Sequence, residues 1–106
     1  MTIFRTLSEP LGIPGVARQL AVSTTSASVT LTADCRRISM VAKGSDMRFV
    51  IATTAPTANA GTSHWIGDGV RLDFMVPPAA RLAAIIATGS AATTGTLEIT
   101  ELTEPG

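Results

Sequence analysis

Between Ile38 and Ile51 apolar side chains recur at every second position, and the alternation is interrupted once, around Gly44-Ser45. Ile38, Met40 and Ala42 make the first run; Met47, Phe49 and Ile51 make the second. A period of two is what a strand with one buried face requires. Gly44 at the first place of a two-residue loop between Lys43 and Asp46 fits a type II′ turn. Such a turn sets Ala42 opposite Met47, Met40 opposite Phe49 and Ile38 opposite Ile51, with Lys43 across from Asp46. The expectation is a central β-hairpin whose six apolar side chains share one face.

The rest of the chain reads in the same way. Val16 to Ser23 is strand-like, with Leu20 and Val22 inward, and Ser26 to Thr32 alternates through Ala27, Val29 and Leu31. After Ala52 comes a polar loop over 53–63, of a length at which loops often carry function. His64, Trp65 and Ile66 lead into the tight turn Gly67-Asp68-Gly69. Val70, Leu72, Phe74 and Val76 then alternate until Pro77-Pro78 stops the strand. In RLAAIIAT, from Arg81 to Thr88, alanine permits a helix. The run is short, though, and Ile85-Ile86 are β-branched, so a strand is expected. Thr96 to Thr100 is the last strand, with Leu97 and Ile99 inward.

Seven or so short strands separated by turn signals predict an all-β chain, a small antiparallel β-sandwich or barrel. With 106 residues it is one domain, able to bury roughly two-thirds of its unfolded surface. That domain is expected over 16–104, behind an extended N-terminal arm over 1–15. Pro10, Gly12, Pro14 and Gly15 forbid a regular helix there. Yet Ile3, Phe4, Leu7, Leu11 and Ile13 are too apolar for a free tail. The arm must cover something, either its own sheet or a neighbouring subunit.

Eight basic and eight acidic residues give a formal net charge of zero, and the charges are scattered singly. That argues against nucleic acid as a partner, because neutralising phosphates needs clustered Lys and Arg. The adjacent pair Arg36-Arg37 reads as a solvated strand start. Charged residues make up only 15 % of the chain. Freely soluble monomers carry more, so part of the surface is expected to be covered by copies or partners. No apolar run is long enough to span a membrane, and the N-terminus lacks the apolar core of a secretory signal. Synthesis in the cytoplasm is expected.

Residues that could do chemistry do not assemble into a motif. Cys35 is the only cysteine, so neither an intrachain disulfide nor a cysteine-based zinc site can form. By parity with Arg37 and Ser39 it should face away from the core. Two readings stay open for it: an inert thiol buried at a strand start, or an inter-chain disulfide in a particle that ends up outside the cell. His64, the single histidine, has no second imidazole to share a metal and no oriented partner to make it a base. Asp68, between two glycines, is a turn former, and Asp73 falls on the outer parity of its strand, so a glycosidase-like carboxylate pair is not expected. No calcium loop or phosphate-cradling glycine motif is present. Catalytic residues, cofactors and metals are therefore all expected to be absent. With one Trp and three Phe, a sugar-stacking platform has little raw material. Trp65 is either a core or edge-covering residue or an interface anchor.

The segments DMRFVIA, SHWIGDGVRLDFMVPP, LAAIIAT and GTLEITEL, which place the similarity between Asp46 and Thr100, resemble small proteins encoded among the virion genes of tailed bacteriophages. Those proteins are similar in length and in their Ala/Thr-rich, low-charge character. The resemblance implies a β-sandwich structural subunit present in many copies in the virion. It gives a capsid decoration or stabilising protein whose partners are itself, as a homo-oligomer, and other virion proteins such as the major capsid protein. Ile3, Phe4, Leu11, Ile13 and Trp65 are the expected contact residues. The alternative is a tail- or fibre-associated receptor- or glycan-binding module, with a cleft between loops 53–63 and 88–95. An enzyme is the third reading, and it lacks a convergent acid, base and nucleophile.

Overall fold

The computed structural model describes residues 13–103. Within them lie eight strands: β1 (Ile13–Val22), β2 (Ala27–Thr30), β3 (Arg37–Lys43), β4 (Met47–Ala52), β5 (His64–Ile66), β6 (Arg71–Met75), β7 (Arg81–Ile86) and β8 (Gly95–Thr103). They form two four-stranded antiparallel sheets, one ordered β1-β8-β3-β6 and the other β2-β7-β4-β5. Each pairing joins one of the first four strands to one of the last four, so the halves of the chain alternate strand by strand across both sheets. This strand order is that of a jelly roll, a double-sheet sandwich.

The all-β expectation holds, and the inward parity of most strands holds with it. Leu20, Ile38, Met40, Leu97 and Ile99 from one sheet meet Met47, Phe49, Ile66, Leu82 and Ile86 from the other in a single buried core. The central hairpin does not form. β3 pairs with β8 and β6, setting Ala42 beside Leu97 and Lys43 beside Thr96, whereas β4 pairs with β7 and β5. Residues 44–46 instead carry the chain from one sheet to the other as an arch. A hairpin and an arch satisfy the same alternation: in one the six apolar side chains share a face, in the other two faces point at each other across the core. Lys43 accordingly meets Glu98, at 3.3 Å, and not Asp46.

The arch is tightly seated. Gly44 takes a positive φ of 97°, and its N–H donates to Asp68 Oδ1 at 3.0 Å. Ser45 is buried, with its hydroxyl against that of Ser90. The start of β8 passes so near that a Cβ on Gly95 would lie 2.8 Å from the Lys43 carbonyl oxygen and 2.7 Å from Met47 Cε.

β7 is a strand, as expected, and the reason its sequence is ambiguous is visible. Leu82, Ala84 and Ile86 face the main core, while Ala83 and Ile85 face a second small cluster with Ala58, Val50 and Ala60. Loop 53–63 lies across the outer face of the second sheet, so β7 is covered on both sides and loses its alternation. Ala58 N–H donates to Ser26 Oγ at 2.9 Å, and Thr88 N–H to the Ala60 carbonyl at 3.0 Å. The two loops expected to border a cleft thus adjoin one another, with the first serving as a cover for β7.

The expected arm over 1–15 lies mostly outside the described residues. Its last three residues belong to β1, where Ile13 pairs with Thr103 and Pro14 with Leu102. The register then shifts between Pro14 and Ala17, a bulge of the kind that blunts an edge strand.

Candidate functional site

β5 and β6 are neighbours in sequence but edge strands of different sheets, joined by the turn over 67–70. That turn is a second arch. Asp68 fastens it to the first: its N–H donates to Asp46 Oδ1 at 2.8 Å while its own Oδ1 accepts from Gly44. Gly69, at φ 78°, donates its N–H to the Ala42 carbonyl at 2.7 Å. Asp68 is therefore a turn residue, as the flanking glycines predict. Asp73 stands on the outer face of β6, 3.4 Å from Arg71, which also donates through Nε to Ser39 Oγ at 2.7 Å. The two carboxylates serve separate structural partners.

Between these two edges the sandwich is open. A cleft of about 340 Å³ is lined by Phe49, Ile51, His64, Trp65, Leu72 and Phe74. The ring of Phe49 is the hub, with centroids 5.5 Å from Phe74 and 5.5 Å from His64, both tilted. Trp65 points outward at the rim, half exposed, with the Arg48 guanidinium 5.2 Å from its ring centroid. Arg48 is held there by donating to the Ser63 carbonyl at 2.8 Å. The exposure continues beyond the rim. Trp65 at 50 %, Val70 at 44 % and Met75 at 72 % are three of the four large apolar side chains exposed among the described residues. All three sit on β5, β6 or the turn between them.

Such a lining can bury apolar surface and stack on a flat partner, but it offers little for proton transfer. Its one titratable side chain, His64, has an aromatic ring as its near neighbour. Among the described residues no group of three or more His, Cys, Asp or Glu is placed to hold a metal ion, and no helix is long and apolar enough to cross a membrane.

At the opposite edge a smaller hollow of about 260 Å³ is bordered by Gly15, Val16, Thr32, Cys35, Glu101 and Leu102, among others. Glu101 shares the inward parity of Leu97 and Ile99, and Arg18 that of Leu20 and Val22, so both charges point between the sheets. The Arg18 Nε donates to Glu101 Oε2, which also accepts the Thr32 N–H at 3.0 Å. Burial alone would raise the Glu101 carboxyl. Hydrogen bonding from Thr32 and the Arg18 guanidinium outweigh it and hold the pKa below the ordinary carboxylate value.

Cys35 does not face outward. It lies in the turn before β3, where strand parity has no hold, and packs into the core at 7 % exposure. Its thiol donates to the Arg37 carbonyl at 3.2 Å, and burial pushes its pKa up, which disfavours the reactive thiolate. The sulfur that a cross-link between chains would use is turned inward.

Of the expected contact residues, the structure brings Trp65 to an exposed apolar edge. Ile3, Phe4 and Leu11 lie outside the described residues, and of Ile13 only the backbone, paired in β1, is described. Two features went unread in the sequence. One is the convergence of Phe49, Phe74 and His64, which comes from strands far apart in the chain. The other is the Arg18–Glu101 pair, whose signal was a charge on the inward parity of each strand. No protein-family model, curated protein or solved structure matches this chain.

Proposed function

We propose that the chain is a structural subunit of a tailed-phage virion, a capsid decoration or stabilising protein that acts by assembling and turns over no substrate. One observation carries this reading: three of the four large apolar side chains exposed among the described residues, Trp65, Val70 and Met75, lie along the β5–β6 edge of the sandwich, whose cleft is rich in rings and poor in acid–base groups. A patch of that kind marks a docking surface. Burying it contributes roughly 25 cal/mol per Å², less the cost of association. The low charge content and the resemblance of the strand segments to small virion proteins agree with it. Jelly rolls serve as capsid proteins and as lectins alike, so topology by itself does not choose between them.

Mass spectrometry of purified particles of the encoding phage tests the reading. The chain is expected there in many copies, and particles reconstituted with a Trp65→Asp, Met75→Asp variant should lose it. Absence from wild-type particles overturns the proposal.

The convergence of Phe49, His64, Trp65 and Phe74 also favours a second reading, a receptor- or glycan-binding module of a tail or fibre. A glycan array decides that one: a saturable signal abolished by Trp65→Ala supports it, and a blank array removes it.

A further inference from the structure

We propose that the β5–β6 cleft is the receptor for residues 1–12 of a second copy of this chain, so that copies join head to tail. The inference rests on the assembly reading above and says which surfaces meet. Among the described residues nothing covers the cleft, and Trp65 at its rim is half exposed. Among the described residues β6 has no partner along one backbone edge, and it has neither the proline nor the bulge that blunts β1. An extended, apolar segment is the occupant that fits an open apolar cleft beside a free strand edge.

The chain supplies such a segment. Residues 1–12, MTIFRTLSEPLG, carry Ile3, Phe4, Leu7 and Leu11 against two charges, Arg5 and Glu9. Twelve residues reach at most about 40 Å when extended. They are rooted at Ile13 on β1, the edge strand furthest from β6 in the order β1-β8-β3-β6, three strand spacings or about 14 Å away. Donor and receptor therefore occupy opposite edges of one molecule. An interface between unlike patches is heterologous, and it closes into a ring or propagates as a filament.

Light scattering on the full chain, with complementation between two variants, tests this. Phe4→Asp spoils the donor and leaves the cleft; Trp65→Asp spoils the rim and leaves the donor. Wild type is expected to show a mass of two or more copies and each variant a mass of one, with an unchanged circular dichroism spectrum. An equimolar mixture should recover a two-copy species, because one intact donor then faces one intact cleft. Trp65 is the only tryptophan, so in that mixture its emission, carried by the Phe4→Asp chain alone, should shift to the blue. A monomeric wild type, a variant that keeps the wild-type mass, or a mixture that stays monomeric overturns the proposal. So does a blue-shifted Trp65 in a monomer that Phe4→Asp shifts to the red, since the segment would then fill its own cleft. A chain found in particles yet monomeric in solution sinks the head-to-tail docking and leaves the structural role standing.

Discussion

At the scale of single residues, the side chain with the most at stake is Glu101, an acid 4 % exposed on the inner face of a sheet. Its folded pKa lies below the unfolded value of about 4.3. The pair therefore contributes stability that is fully present above that value and is lost as pH falls through the depressed folded one. Thermal unfolding followed from pH 7 downward should show the melting temperature falling most steeply below about pH 4.3. Glu101→Gln should cost about 1–3 kcal/mol at neutral pH, since it leaves Arg18 without its counter-charge, and should flatten the acid limb. An unchanged acid limb in the variant would mean that another carboxylate governs it.

At the scale of elements, alternation along the chain was legible and sheet membership was not. Ile38, Met40 and Ala42 face inward as read, and so do Met47, Phe49 and Ile51. Parity reports which side of a strand is buried, however, and is blind to which strand lies beside it. The hairpin reading failed there. Gly44-Ser45 looked like a two-residue turn, whereas the real connection adds Asp46 and sinks Ser45 into the protein. Cys35 departs from the expected outward orientation for a related reason: it precedes β3, and strand parity does not extend into a turn. β7 read ambiguously because loop 53–63 roofs its outer face, and a strand with two dry faces has no alternation to show. The cleft was hidden for the same non-local reason, since Phe49 and Phe74 meet only after β4 and β6 reach different sheets. A direct check on the arch is Gly95→Ala. In a free β3–β4 hairpin that change would be harmless, but here the added methyl meets the Lys43 carbonyl and Met47. A loss of about 1–3 kcal/mol in urea unfolding is expected, and a loss under about 0.5 kcal/mol would speak against the arch.

At the scale of the whole molecule, the alternation of early and late strands decides when and how the protein can come into being. β1 to β4 have no partners among themselves, and neither do β5 to β8. A polypeptide half-emerged from the ribosome therefore has nothing to pair with, and ordering waits for the strand that completes the row between β1 and β3. Pairings so distant in sequence fold slowly, in the millisecond-to-second range or beyond. The same interlacing protects the finished product. Cleavage at an engineered protease site beside the exposed Thr53 and Thr54 should give two pieces that co-elute in buffer and part only in denaturant. Either piece made alone should lack a β-sheet circular dichroism signal. Pieces that separate without denaturant would contradict the interleaved order. A protein built this way tolerates a severed backbone, because each sheet is stitched from both fragments.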